Sequence, residues 1–235
     1  MLRLDGLTCG YGPLVAVHQL TLEVPEGGIF ALIGANGAGK SSTIMAIAGH
    51  VAVSSGSVSF GGRDITGLSA RARVGAGIAL VPEGRRLFPD LSVEENLVVG
   101  GYSRPKAHFA QNRDRVLALF PRLAERLGQQ AGSLSGGEQQ MLAIGRALMA
   151  EPKFLMIDEV SLGLMPKNVE ICYQAIARLS AEGLTILLVE QNTAKALEIV
   201  DRVCVLESGR EVWQGTAAEA RHDPEMIDLY LGLSG

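Results

Sequence analysis

The sequence contains little cysteine and no excess of basic charge. Its three cysteines lie far apart and are odd in number, which favours reduced, buried thiols over a disulfide framework; they are Cys9, Cys172 and Cys204. Lys and Arg together number 21 against 25 Asp and Glu, so the net charge is −4, and the sequence has no basic footprint for nucleic acid. The four histidines lack the spacing of metal ligands. We therefore expect neither a disulfide-stabilised fold nor a nucleic-acid partner.

Long hydrophobic runs are also missing, although 47% of the residues are hydrophobic and the mean hydropathy is +0.22. The continuous apolar runs are short and fall at 29–33, 78–81, 154–157 and 184–189. A membrane-spanning helix needs about 20 apolar residues, whereas short runs suit strands of a parallel sheet that is covered on both faces. Asp5 and Gly6 interrupt the apolar core that a signal peptide would need. The sequence thus predicts a cytoplasmic protein.

The most informative motif is Gly34-Ala35-Asn36-Gly37-Ala38-Gly39-Lys40-Ser41, which fits the phosphate-loop pattern of Gly, four residues, Gly, Lys and Ser or Thr. A strand-like run precedes it and a helix-like run follows, as the motif requires. Its glycines let backbone N–H groups converge on phosphates. Lys40 supplies a positive charge for the outer phosphates, and the Ser41 hydroxyl is a ligand for Mg²⁺. The alternative, a chance glycine-rich turn, does not account for the flanking strand and helix.

Strands and helices alternate around this loop. Strands are predicted at 2–7, 20–24, 57–60, 78–81, 154–157 and 185–189, and a hairpin at 203–206 and 211–213. Helices are predicted from a capping box at Ser92 and over 116–127, 169–180 and 193–199. The expected plan is a nucleotide-binding α/β core with a helical insertion at about 87–150 in a chain of 235 residues.

A second motif is the apolar strand at 154–157, which ends in Asp158 and Glu159. Ligands of open α/β sheets bind at the carboxyl ends of the strands. Asp158 is therefore placed to hold Mg²⁺, and Glu159 to accept a proton from the water that attacks the γ-phosphate. The alternative is an ordinary turn in which both acids face solvent. The phosphate loop elsewhere in the chain favours the first interpretation over this one.

A third motif is Leu134-Ser135-Gly136-Gly137-Glu138-Gln139-Gln140. Ser135 is typical of a helix N-cap, and apolar residues follow at helical spacing. Two glycines at a helix start let the backbone approach an anion. The alternative is a capped helix without a ligand.

These motifs together resemble the ATP-binding-cassette (ABC) ATPases, with residues 134–140 as the signature. Within that family the chain is similar to the ATPase subunits of branched-chain amino-acid importers, and most to the smaller of their two ATPases. The segments that carry this likeness are 81–89, 158–164 and 188–192. The resemblance implies a P-loop NTPase (RecA-like) core with an N-terminal antiparallel β subdomain and a helical insertion subdomain. Residues 1–235 are then expected to form a single ATP-binding domain.

The resemblance also implies a mechanism in which two subunits enclose two ATP molecules head to tail. Glu159 and Gln191 are the implied catalytic residues, and Ser41, Glu83 and Asp158 the implied Mg²⁺ ligands. Tyr11 matches the aromatic residue that stacks on adenine. The full set of implied ATP-binding residues is Tyr11, Gly34, Ala35, Asn36, Gly37, Ala38, Gly39, Lys40, Ser41, Ser42, Glu83, Ser135, Gly136, Gly137, Glu138 and Asp158. Ser135, Gly136 and Gly137 are expected to act on the ATP of the partner subunit.

Four positions depart from the general family pattern. Glu83 stands where most members have Gln, which adds a negative charge near the phosphates. Gln191 stands at the switch position usually held by His, and its amide donates a hydrogen bond but does not titrate. Val160 and Met165 replace a usual Pro and Asp in the loop after Glu159, which puts communication across the dimer by this loop in doubt.

The resemblance leaves partners and cargo partly open. It implies a second ABC ATPase, identical or related, two membrane-spanning permease subunits, indirectly a solute-binding protein, and a peripheral position on the cytoplasmic face of the inner membrane. Urea or short amides are alternative cargoes to branched-chain amino acids. Arg85 and Arg86 contact a membrane partner or are solvated surface charges. A soluble ABC ATPase of translation or DNA maintenance, a P-loop kinase and a non-catalytic binding module are less favoured alternatives.

Overall fold

Strands and helices alternate along residues 1–223, the part of the chain that this computed structural model describes. The strands are β1 (Leu2–Tyr11), β2 (Leu14–Val24), β3 (Ile29–Ile33), β4 (Ala52–Phe60), β5 (Arg63–Asp64), β6 (Ile78–Val81), β7 (Phe154–Asp158), β8 (Thr185–Glu190), β9 (Arg202–Glu207) and β10 (Arg210–Thr216). The helices are α1 (Lys40–Ala48), α2 (Ala70–Ala76), α3 (Val93–Gly100), α4 (Phe109–Leu119), α5 (Pro121–Ala124), α6 (Gly136–Leu148), α7 (Pro166–Ala181), α8 (Thr193–Ala196) and α9 (Ala217–Ala220). Two 3₁₀ turns, Lys106–His108 and Ala131–Ser133, lie within the helical part.

A six-stranded sheet in the order β10-β9-β3-β8-β7-β6 forms the centre of the molecule. Its strands are parallel except for β10, which pairs antiparallel with β9 in the predicted hairpin. β3, β7 and β8 are buried along their whole length, which explains their continuous apolar sequences. The carboxyl ends of β3, β7 and β8 therefore share one edge, where the predicted phosphate loop, acidic pair and Gln191 begin.

A second sheet in the order β2-β1-β4-β5 is antiparallel throughout. β1 and β2 come from the start of the chain, as expected for an N-terminal antiparallel subdomain. β4 joins them from beyond the phosphate-loop helix, and it begins at Ala52 rather than at the predicted residue 57. The second sheet thus also includes chain that follows the phosphate loop.

The central sheet sends alternate side chains into two separate apolar clusters. Phe30 and Leu32 of β3 pack with β1, β2, β4 and α1 on one face. Ala31 and Ile33 pack with the helices on the other face, in a cluster that also takes Leu97 of α3 and residues of α4 to α7. The helices between α3 and α6 therefore share their apolar core with the central sheet. This shared core fixes the signature helix α6 relative to the phosphate-binding edge.

Capping residues set the starts of two of these helices as predicted. The Ser92 hydroxyl accepts a hydrogen bond from the Glu95 N–H, and the Glu95 carboxylate accepts one from the Ser92 N–H. Ser135 and Glu138 make the same reciprocal pair at the start of α6.

Two predicted helices are placed differently in the structure. The single helix expected over 116–127 is wrong, since α4 ends at Leu119 and a short α5 starts at Pro121. The Pro121 ring pushes Phe120 out of helical geometry, to φ −129° and ψ 75°. The helix expected over 193–199 ends at Ala196, after which the backbone continues in tighter turns, with the Ile199 N–H bonded to the Ala196 carbonyl.

Candidate functional site

The phosphate loop connects β3 to α1 and depends on glycine at its last position. Gly39 is the N-cap of α1 with φ +100°, a conformation that side-chain-bearing residues rarely adopt. A Cβ at this position would lie 2.8 Å from the carbonyl oxygen of Ala16 on β2. The backbone of β2 therefore lies too close to the start of α1 for a side chain at position 39.

Lys40, the first residue of α1, is buried at the centre of the loop. Its ammonium group donates hydrogen bonds to the carbonyl oxygens of Gly34 at 2.8 Å and Ala35 at 3.0 Å. Burial lowers the pKa of Lys40, and the surrounding carboxylates, which oppose this, are Glu159, Asp158, Glu190 and Glu83. The Lys40 ammonium group therefore lies between the loop carbonyls and these four carboxylates.

Asp158 ends β7 with only 1% of its surface exposed. The Ser41 hydroxyl donates to its Oδ1 at 3.3 Å, whereas Oδ2 is buried without a hydrogen-bond partner in residues 1–223. Burial raises the pKa of Asp158 to about 6, the Ser41 hydrogen bond opposes the rise, and the neighbouring Glu159 and Glu83 add to it. A buried carboxylate oxygen without a donor is the group that a bound cation satisfies.

No group of three or more His, Cys, Asp or Glu residues within the described chain could hold a metal ion by itself. Mg²⁺ is commonly held by one or two protein oxygens together with substrate phosphates. The pair of Ser41 and Asp158 beside the phosphate loop fits that arrangement.

Glu159 has a left-handed backbone, with φ +52°. Its N–H donates to the Val189 carbonyl on β8 at 2.9 Å, which fixes this turn to the neighbouring strand. Left-handed geometry in a residue that is not glycine costs of the order of 1 kcal/mol, and such strain concentrates at functional sites. The turn directs the chain out of the sheet immediately after β7.

A cleft of about 350 Å³ brings the motifs together. Its lining residues are Ala16, Asn36, Gly37, Gly39, Lys40, Ser41, Ser42, Glu83, Glu159, Leu162 and Gln191. Phosphate loop, proposed base, switch position and Glu83 thus border one volume, although they come from distant parts of the sequence. Ala16 and Leu162 were not predicted, because an apolar residue on a strand or loop carries no chemical signal of its own.

Tyr11 and the signature residues lie outside this lining, as do Gly34, Ala35, Ala38 and Asp158. Tyr11, at the end of β1, is 54% exposed. Ser135, Gly136 and Gly137 stand at the N-terminus of α6, where Gly137 leaves room for Asn168, whose side chain would overlap a Cβ at this position. Their roles toward ATP stay predictions.

Glu138 anchors the start of α6. Its carboxylate accepts hydrogen bonds from the Ser135 N–H at 3.0 Å and the Ser135 hydroxyl at 2.7 Å, and it pairs with Arg126 at 2.7 Å. Burial acts to raise the pKa of Glu138, but these hydrogen bonds and the Arg126 charge outweigh it and leave the pKa below its usual value. The carboxylate is therefore ionised and occupied within its own subunit.

The segment that follows Glu83 is attached to the signature helix. Arg146 of α6 donates to the carbonyl oxygens of Arg86 at 2.7 Å and Arg85 at 3.1 Å. Arg85 in turn donates to the Gln139 side chain at 3.2 Å. Of the two arginines, Arg85 is half-buried against α6 and Arg86 is exposed. Sequence reasoning missed Arg146, because its position on α6 does not reveal which backbone it faces.

Among the helices of residues 1–223, none has the length and apolar character needed to cross a membrane.

A comparison with protein families finds that the model described as ABC transporter matches residues 17–161. The branched-chain amino acid transport ATP-binding protein BraG of Pseudomonas aeruginosa is 48% identical over 232 residues, with 99% of this chain and all of the relative covered. A probable branched-chain amino acid transport ATP-binding protein, LivF, of Archaeoglobus fulgidus is 39% identical, with 99% of both covered. LivG of Escherichia coli, of the same transport class, is 31% identical over 249 residues, with 99% of this chain and 98% of the relative covered.

Solved structures give the same result for the fold. A nucleotide-free ATP-binding cassette from an ABC transporter superposes with a TM-score of 0.87 at 25% identity and covers 98% of both chains. The ADP conformation of another ABC-transporter cassette superposes with a TM-score of 0.85 at 26% identity and covers 99% of this chain and 98% of that one.

Proposed function

The chain belongs to the ABC transporter family of ATP-binding proteins, and on this premise we propose that it is the ATP-hydrolysing subunit of an importer for branched-chain amino acids. The observation that carries the proposal is the cleft in which Lys40, Glu159 and Gln191 border one volume beside the phosphate loop. The cargo class comes from the names of BraG and LivF, which cover nearly the full chain. The predicted ABC resemblance, the fold class and the ATPase activity are confirmed by these comparisons.

In this proposal the loop N–H groups and Lys40 bind the phosphates of ATP. Ser41 and Asp158, with Glu83 next to them, would hold Mg²⁺, and the bound ion would supply positive charge beside the phosphates. Glu159 accepts the proton of the attacking water. The Gln191 amide donates a hydrogen bond to the γ-phosphate, as an uncharged substitute for histidine. Tyr11 stacks on the adenine.

A second ATPase subunit completes the site. Ser135, Gly136 and Gly137 are outside the cleft of their own subunit, and we propose that they contact the ATP of the partner. Their helix N-terminus offers N–H donors for the γ-phosphate, while Glu138 orders the turn. This partner is either an identical chain or a related ATPase.

The remaining partners follow from the importer role. Two membrane-spanning permeases bind the subunit at the cytoplasmic face of the inner membrane, and a solute-binding protein acts on them from the other side. The chain acts as a single ATP-binding domain in which the helical segment at about 87–150 contacts the permeases.

A reconstitution experiment tests the cargo and the role together. The chain is co-purified with its permeases, placed in lipid, and assayed for ATP hydrolysis with a solute-binding protein and leucine, urea or acetamide. We expect stimulation by leucine above both other solutes. Stimulation by urea or the amide alone would assign the alternative cargo, and hydrolysis that no permease affects would remove the transport role.

A further inference from the structure

Glu190, the last residue of β8, is a buried carboxylate to which the roles above give no task. Only 1% of its surface is exposed, and the residue pairs with Ile33 of β3 inside the sheet. Burying a carboxylate is unfavourable unless hydrogen bonds or charges compensate it. Its neighbours in sequence both serve the site, since the Val189 carbonyl holds Glu159 and Gln191 lines the cleft.

The compensating donors come from the loop that follows Glu159. The Ser161 N–H donates to Oε1 of Glu190 at 3.3 Å, and the Ser161 hydroxyl donates to Oε2 at 3.0 Å. Burial raises the pKa of Glu190, and the interactions with Ser161 and then with the Tyr173 hydroxyl oppose the rise.

Tyr173 of α7 lies on the other side of the carboxylate. Its hydroxyl is buried and also acts as a donor toward Glu190, outside the geometry of a regular hydrogen bond. Burial and then the Glu190 charge raise the pKa of the Tyr173 hydroxyl. The carboxylate is thus enclosed between Tyr173 and the loop of Ser161, which provides its two regular hydrogen bonds.

The two catalytic positions are attached to the two sides of this contact. Ser161 is two residues after Glu159, and Glu190 directly precedes Gln191. A groove next to the ATP cleft is bordered by the two segments that make this contact. The loop after β7 contributes Glu159, Ser161, Leu162 and Gly163, and the end of β8 and the residues after it contribute Glu190, Gln191 and Asn192. Because Glu159 is held in a left-handed conformation, it depends on its surroundings to keep that geometry.

We propose that Glu190 is a positioning residue for hydrolysis, which holds the loop of Glu159 against the strand that carries Gln191. Both side chains then reach the same γ-phosphate in a fixed relative geometry. The inference rests on the roles proposed for Glu159 and Gln191. It adds that their relative placement is set by a carboxylate that does not touch ATP.

The test is Glu190→Gln in the full chain within its assembled dimer. The amide keeps the shape of the side chain but offers only one oxygen for the two Ser161 donors. We expect kcat to fall at least about tenfold, since misplacing a catalytic group by 1 Å costs about 10²-fold. The KM for ATP and the affinity for a fluorescent nucleotide should stay within about twofold, because the phosphate loop is unchanged.

Ser161 provides the second arm of the experiment. Ser161→Ala removes one donor and should lower kcat in the same way, whereas Ser161→Thr keeps both donors and should restore it. The double variant with Glu190→Gln should be no slower than the slower single variant, since both remove one contact. Glu198→Gln is the matched control. Glu198 is exposed and follows Glu190 closely in the sequence, so its replacement should leave activity unchanged.

Wild-type kcat in Glu190→Gln, or in Ser161→Ala if the first variant does not fold, overturns the inference. An equal loss of nucleotide affinity and kcat also overturns it, since that result means collapse of the site. The proposed function fails by a different result, namely absence of hydrolysis in the wild-type protein and in Glu198→Gln.

Discussion

Asp158→Asn should stabilise the nucleotide-free protein at neutral pH while it removes function. In the folded protein burial raises the pKa of Asp158 from 3.8 to about 6. One pKa unit corresponds to about 1.4 kcal/mol, so keeping this carboxylate ionised costs the folded state about 3 kcal/mol. Asparagine keeps the volume and the oxygen that accepts from Ser41, and it carries no charge. The ionisation penalty is therefore absent from the variant.

The sign of the pH dependence follows from the raised pKa. A carboxyl group whose pKa is higher in the folded state stabilises the protein below its unfolded pKa, about 4, and this contribution is lost as the pH rises through about 6. The variant minus wild-type difference in unfolding free energy should thus grow from near zero at pH 4 to about 3 kcal/mol at pH 7.5. For a chain of this size that difference raises Tm by about 6–12 °C.

Thermal and urea unfolding in EDTA without nucleotide, from pH 4 to 8, measure this difference. Asp90→Asn serves as control, because Asp90 is exposed and its replacement should change stability little at any pH. With Mg²⁺ and ATP added, the wild type should gain stability and Asp158→Asn should gain much less. No gain for the variant at pH 7.5, or an equal gain at pH 4 and pH 7.5, would refute the electrostatic reasoning.

Three further predictions concern the ATP cleft. Glu159→Gln should bind ATP like the wild type in a fluorescent-nucleotide assay and lose about 10²-fold or more of hydrolysis, because the proton acceptor is gone. The pH profile of hydrolysis at saturating ATP and Mg²⁺ should show no histidine-type step between about pH 6 and 7, since Gln191 does not titrate. Gly39→Ala should weaken nucleotide binding at least about tenfold, or about 1.4 kcal/mol, because the new Cβ meets the Ala16 carbonyl at φ +100°.

Each of these has its own contrary result. Turnover close to wild type in Glu159→Gln would remove Glu159 from the role of base. A clear step near pH 6–7 that persists when His18 and His50 are replaced would contradict the role of Gln191. Gly67→Ala, where a Cβ meets open space, is the control for Gly39→Ala, and equal binding by both variants would contradict the steric argument.

The phosphate loop and the strands around it were predictable because their signal is local. The motif of residues 34–41 and the apolar runs beside it lie in one stretch of sequence, and the structure has β3 and α1 on either side. The predicted strand at 78–81 coincides with β6 for the same reason. Pro121 is also a local signal, because proline disfavours helical geometry in the residue before it, and it predicts a break in the helix expected over 116–127.

The contacts that organise the site were not predictable, because they join segments far apart in sequence. Nothing around Arg146 reveals that it bonds the backbone of Arg86 and Arg85, 60 and 61 residues earlier. Glu190 carried a weak signal, a charged residue at the end of an apolar strand beside Gln191. Its partner Ser161 is set only by the pairing of β7 with β8.

The full burial of β3, β7 and β8 has a consequence for how the protein exchanges its amide hydrogens with solvent. Amides of β3, β7 and β8 have apolar side chains on both faces, so they exchange only when the whole molecule opens. Glu159 directly follows β7, and Gln191 directly follows β8, two of the strands whose amides exchange slowly. We therefore expect a step in exchange rate at both points, and binding of ATP should slow the amides after the step and leave those before it unchanged.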